Sequence, residues 1–312
     1  MRSKEIALAQ QLDTGLLSFD QEKLPLPGIR APAHRESFVG QLVESIRRIR
    51  YVSVITRKDL SILRADPSSD HFDPAKAAVL HQRQGNTEEA FWLVFLLVHF
   101  GKNLRTGWRL ARDIYGGLGG TARWDWPRTS ANPQALSQWI ATNQTTLQGG
   151  DGVERHFGNH RKYETLKATS HRATGKVIES YVNWICPPRI HQVLVQEALD
   201  KTGGDPRKTF DYLYRSMDDV ISFGRTARFD YLTMVGKLGL APIKPGSTYM
   251  QGATGPLAGA RLLFGKNVAA PILDTWLLQL ETHLDLYFGM QVLEDALCNW
   301  QKSPAKFKPF RG

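Results

Sequence analysis

Ten consecutive residues, Phe91 to Phe100 (FWLVFLLVHF), constrain the fold of this chain more than any other stretch. No Gly, Pro or formally charged side chain interrupts them. A helix that crosses a bilayer needs about 20 apolar residues, so ten are too few. A short segment apolar on every side belongs inside a protein, and residues 88–99 are read as a buried helix. His99, near its end, is then a core histidine with a hydrogen-bond partner.

The rest of the chain has the material to build such a core. Of 312 residues, 42% are hydrophobic, with eight Trp, nine Tyr and fourteen Phe. This length suits one large domain or two ordinary ones. The formal net charge is +10, a balance that favours polyanionic partners, nucleic acid above all. The two cysteines, Cys186 and Cys298, form no CxxC or zinc-ligand spacing, which fits a reducing, cytoplasmic compartment. The run HRE ending at Glu36 matches half of a zinc-deaminase signature, but no PCxxC completes it. MRSKEIALAQQLDTG has no long apolar core and is not expected to be a secretory signal. No membrane association and no obligate protein partner are expected.

Helical periodicity recurs along the chain, without strand alternation, heptads or repeats, and predicts a mainly α architecture. An amphipathic helix is expected over residues 1–23, followed by a Pro-rich connector to His34. Residues 36–64 read as a helix with one basic face formed by Arg47, Arg48, Arg50, Arg57 and Lys58. Another helix passes through AAVLHQ. Beyond the buried helix come a Gly-rich break at 115–120, a cluster of Trp124, Trp126 and Trp139, and a polar Gly-rich loop over 147–164. Further helices are predicted at 176–185, 189–201, 207–222, 226–238, 256–264, 275–287 and 290–301, with Gly239 and Gly265 as stops. The tail SPAKFKPFRG is basic and expected to be mobile. By motif content the chain divides into a helical region over 1–88, a catalytic region over 89–302 and a tail over 303–312.

Residues 226–285 carry the most chemistry. In GATGPLAGARLLF, Thr254 or Gly255 serves as N-cap and Pro256 opens a helix. Gly252, Gly255 and Gly259 admit a close backbone, and a helix start with free N–H groups, supported by Lys266, can hold a phosphate. Asp274 precedes a further apolar helix containing Trp276. This arrangement resembles the helix-hairpin-helix DNA glycosylase superfamily, in which a glycine hairpin grips the strand and a catalytic Asp follows in a P-x-x-D-T context. Gly255 and Asp274 lie 19 positions apart, and Pro271, Asp274 and Thr275 match that context. Leu257 or Ala258 stands where bifunctional members carry a Schiff-base lysine, so the resemblance implies a monofunctional enzyme.

A second resemblance spans residues 90–302. HFGKN (99–103), FGNHRKYETL (157–166), FGRTARFDYL (223–232), ATGPLAGARLLF (253–264) and LEDALCNWQK (293–302) stand in order. Together they are similar to the third clade of the alpha-glutamyl/putrescinyl thymine pyrophosphorylases, a helical, glycosylase-like family associated with phage thymine hypermodification. Relatives are implicated in anti-phage defence through removal of glucosylated bases. The resemblance implies a helical DNA-glycosylase-like fold with a hairpin-type DNA-binding element, acting on DNA with modified bases.

Such chemistry requires a base flipped from the stack. Cleaving the N-glycosidic bond builds positive charge on the deoxyribose, which a carboxylate stabilises. Asp274 is the first candidate for that role and Asp230 the second, the latter with Arg225 or Arg228 as alternative salt-bridge partners. Asn159, His160, Arg161, Tyr163 and Glu164 of the polar loop, with Arg225, Arg228 and Trp276, are candidates for the base pocket, and Trp108 for stacking. Three activities fit. The first is a DNA glycosylase that excises a glucosylated or hydroxymethylated pyrimidine, leaves an abasic site and needs no metal or nucleotide cofactor. The second is a transferase that displaces pyrophosphate from an activated 5-hydroxymethyluracil in DNA to attach an amine or amino acid. The third is a non-catalytic binder of modified DNA.

Overall fold

The computed structural model describes residues 3–309; Met1, Arg2 and the last three residues of the tail lie outside the described residues. Fourteen α-helices and no β-strand are present among the described residues, so the mainly α expectation holds. The helices pack as two compact units. One joins residues up to Ser53 to those from Pro245 onward, and the other is Val54–Lys244. This grouping differs from the linear division at 88/89 and 302/303, because the two ends of the chain share one core.

That first unit contains α1 (Ser3–Glu22), the body of α2 (Pro32–Ile55), α12 (Gly255–Phe264), α13 (Ala270–His283) and α14 (Gly289–Trp300). Leu12, Leu16 and Phe19 of α1 are buried with Phe38 and Leu42 of α2, Leu273, Leu277 and Leu280 of α13, and Leu293, Leu297 and Trp300 of α14. The α12 and α14 backbones approach closely. A Cβ on Gly259 would stand 2.3 Å from the Leu297 carbonyl oxygen. Two expectations change here. The long helix predicted over 36–64 ends at Ile55. The tail is not loose through residue 308: Gln41 Nε2 donates to the Lys308 carbonyl at 2.9 Å, and Trp300 Nε1 donates to the Pro304 carbonyl at 3.2 Å.

In the second unit, α4 (Thr87–Phe100) is the buried apolar helix expected from the sequence, and Trp92, Leu93, Val94 and Phe95 have no exposed surface. It packs against α3 (Pro74–Arg83), α5 (Arg109–Tyr115), α6 (Trp126–Ala131), α9 (His191–Thr202) and α11 (Arg225–Lys237). α7 (Pro133–Thr142), α8 (Thr174–Ile185) and α10 (Pro206–Ser216) complete the unit. The first turn of α4 supplies the caps of two partners. Glu88 accepts from the His191 and Gln192 backbone N–H groups at the start of α9, and Glu89 accepts from Trp126 N at 2.7 Å at the start of α6. Burial raises the Glu89 pKa to about 7, against the bonds from Trp126 and Tyr115. His99 is buried beside Thr174 Oγ1 at 3.2 Å, and burial pushes its pKa down to about 3, so the core holds it neutral. No helix among the described residues is long and apolar enough to cross a membrane.

Candidate functional site

Three of the motif stretches meet in the second unit. The loop FGNHRKYE follows the buried helix in space because Gly158 N donates to the Phe100 carbonyl at 2.8 Å. Gly101 and Gly158 are required there. Gly101 has φ +64, and a Cβ on Gly158 would lie 2.8 Å from the Gly101 carbonyl carbon. Asn103 Nδ2 adds a bond to the Phe157 carbonyl at 3.0 Å. With the loop fixed, Arg161 reaches in two directions. Its Nε donates to the Val98 carbonyl at 2.6 Å, satisfying the end of α4, and its Nη2 donates to Asp230 Oδ2 at 2.9 Å.

Sequence proximity points to Arg225 or Arg228 as a partner of Asp230; the structure adds Arg161, 69 residues away, which forms an ion pair with it at 2.9 Å. Arg228 is occupied elsewhere. It donates to Asp218 Oδ1 at 2.5 Å, and its guanidinium lies 4.6 Å from the Tyr214 ring centroid. Arg225 stands at the first position of α11, half-buried.

Glu164 is the most enclosed acid of the loop, with a side chain 7% exposed. Its Oε1 accepts from Arg172 Nη2 at 3.4 Å, while Oε2 is buried without a hydrogen-bond partner. Burial raises its pKa; Ser222, Arg172 and Arg161 oppose the rise. Ser222 holds a left-handed φ of +62 and accepts from Arg172 Nε at 3.0 Å. A non-glycine residue in that region stores strain, and this one sits beside the carboxyl. Glu164 lines an open cavity of about 460 Å³ with Arg155, His156, Phe157, Lys162 and Thr165, within the ~300–1,000 Å³ range typical of small-ligand sites. Arg155 is buried and fixes the cavity wall through Asp113 at 2.6 Å and Asp151 at 2.8 Å. Asn159 and His160 are exposed on a single 3-10 turn, and Tyr163 is 73% exposed.

The remaining candidates belong to the first unit. α13 begins at Ala270, five residues before the predicted start, so Asp274 lies in its second turn and does not precede it. Both of its oxygens are used. Oδ1 accepts from Thr248 N at 3.1 Å and Thr248 Oγ1 at 2.5 Å, and Oδ2 accepts from Met250 N at 3.0 Å. Thr254 and Gly255 open α12, with Pro256 in its first turn. Gly252 is exposed with φ +78, and Lys266 is exposed. Gly255 and Gly259 do receive a close neighbour, and it is α14 of this chain. Trp276 packs on Phe264 at 5.4 Å between ring centroids. Sequence reasoning thus names Arg161, Glu164 and Asp230 but passes over Arg155, Arg172 and Ser222, whose only sequence signal is proximity to the Gly-rich loops. Among the described residues no group of three or more His, Cys, Asp or Glu is placed to hold a metal ion.

Fold and site define a basic all-α protein whose signature loops carry arginine–carboxylate pairs and place Glu164 on the wall of a cavity. The chain belongs to the alpha-glutamyl/putrescinyl thymine pyrophosphorylases, clade 3: the family model matches residues 33–312. The family is one of thymine modification, which places the chain among DNA-modifying enzymes. No curated protein and no solved structure matches it.

Proposed function

We propose that this enzyme draws one modified pyrimidine out of a DNA strand to the second-unit cavity and hydrolyses its N-glycosidic bond: water adds its oxygen to the sugar C1′ as the C1′–N bond breaks, and the base leaves with a proton, so that an abasic site remains. One observation carries the reading: Glu164 is an enclosed carboxyl, held beside Arg172 and Ser222, on the wall of a cavity of small-ligand size. A carboxyl in that setting can stabilise the positive charge that grows on the sugar, or exchange a proton with the departing base. Asp230, fixed by Arg161, is the second acid, and Asn159, His160 and exposed Tyr163 offer polar and stacking contacts to the extruded base. In this reading Asp274 serves as a brace for residues 248–250, while the α12 start with Gly252, Thr254 and Lys266 remains a strand contact. Removal of modified bases in the cytoplasm fits a role against phage DNA.

A transferase that displaces pyrophosphate at 5-hydroxymethyluracil and attaches an amine is the second reading, favoured by the family's description. Both readings are tested by incubating the protein with plain, hydroxymethylated and glucosylated DNA without amine, then probing for alkali-labile sites. The glycosylase produces them, and E164Q lowers the rate at least 100-fold with an unchanged melting temperature. A mass gain that requires added amine, with no strand lability, refutes base excision.

A further inference from the structure

A second pocket in the same unit, about 300 Å³, lies across Arg64, Lys76, Lys102, Arg109 and Arg112. The only acids lining it are Asp70 and Asp73, so its side chains carry a net charge of +3. Each acid already has a cation. Asp70 is bonded by Arg112, and Asp73 is paired with Lys76 at 3.1 Å while capping α3. Among the described residues neither Lys102 nor Arg109 forms an ion pair, although both line the pocket. Thr106 adds an Oγ1 that is buried without a hydrogen-bond partner. A buried hydroxyl left unpaired is unfavourable, and an acceptor reaching it from the pocket would relieve that.

The turn bearing these groups is preformed. Asn103 and Gly107 exchange both backbone hydrogen bonds at 3.0 Å, and Asn103 Oδ1 accepts from Arg105 N and Thr106 N. The same Asn103 bonds the Phe157 carbonyl, so the turn is anchored to the loop that carries Glu164.

We propose that this pocket is a phosphoryl-oxyanion site, in which Lys102, Arg109 and the Thr106 hydroxyl bind at least two oxygens of a phosphodiester or diphosphate. Oxyanions with several acceptors match a cluster of convergent N–H and O–H donors. The site does not depend on which bond the enzyme breaks. Two sources share the chemistry: phosphates of the bound strand and a free diphosphate.

The test uses the full chain, inorganic pyrophosphate and a 12-nucleotide single strand, each titrated by calorimetry at low salt. K102Q/R109Q is expected to weaken pyrophosphate binding at least 10-fold and T106V about 3-fold, with melting temperatures unchanged. The K4Q/K23Q control, which removes the same charge elsewhere, leaves it intact. If the strand competes with pyrophosphate and its own affinity falls in K102Q/R109Q, the pocket holds strand phosphates. If both ligands bind together and only pyrophosphate is lost, it holds a free diphosphate. Unchanged binding of both ligands in K102Q/R109Q, or an equal loss in the control, overturns the proposal.

Discussion

At Asp274 three hydrogen bonds converge from Thr248 and Met250, whereas Glu164 keeps an enclosed oxygen without one. A carboxylate saturated by the chain's own N–H and O–H groups holds a loop in place. One held by fewer bonds on a cavity wall is better placed to serve a substrate. D274N should therefore cost about 1–3 kcal/mol of stability through the loss of an acceptor, seen as a lowered melting temperature and faster amide exchange at Thr248 and Met250. Base release per folded molecule should persist. Complete loss of release in a fully folded D274N would return the chemistry to that residue. Arg161 gives a further case. R161K keeps the charge but cannot serve the Val98 carbonyl and Asp230 together, so activity should fall about 10-fold or more while D230N alone falls less. Steady-state rates of the two variants decide it.

Most helices are legible as elements in the sequence, because apolar positions recur at the helical period wherever one face is buried. The exceptions have specific causes. The predicted start of α13 falls too late because Ala269, Ala270 and Pro271 resemble a linker, although Pro in the first turn is a helix-start signal. α6 and α7 escape the periodicity in the Trp- and Gly-rich region, although Asp125 and Asn132 cap them and each helix carries a Pro in its first turn. Short helices display too few turns for periodicity to show. Between α12 and α14 the contact depends on glycine. G259V has no room beside Leu297 and should destabilise by about 3 kcal/mol, read as a fall in the denaturant midpoint.

Across the whole molecule, buried ionisable groups pull stability in opposite directions with pH. His99 has a folded pKa of about 3 against 6.5 for the free side chain, so the unfolded chain takes up its proton first and stability falls as pH drops below 6.5. Burial lowers His191 too, against its bond to the Glu88 carboxylate, and it acts in the same direction. Glu89, raised to about 7 from 4.5, acts oppositely over pH 7 to 4.5 and offsets part of the loss. Comparison of H99Q with the parent isolates one imidazole. Relative to pH 7.5, the variant should gain on the parent by about 1.4 kcal/mol per pH unit between 6.5 and 4.5. Parallel stability curves from denaturant titrations would show that His99 is not held neutral by the fold.

Sequence alone determined the all-α class, the buried helix at its centre, the family and three of the site's charged residues. These are local properties, set by hydrophobic period, capping residues and short motifs. Tertiary structure decided which carboxyl is saturated and which is enclosed, that Asp230 meets Arg161 from a loop 69 residues away, and that both ends of the chain build one core. Such outcomes depend on contacts between residues distant in the chain, where burial and hydrogen-bond saturation are fixed only once the helices have packed.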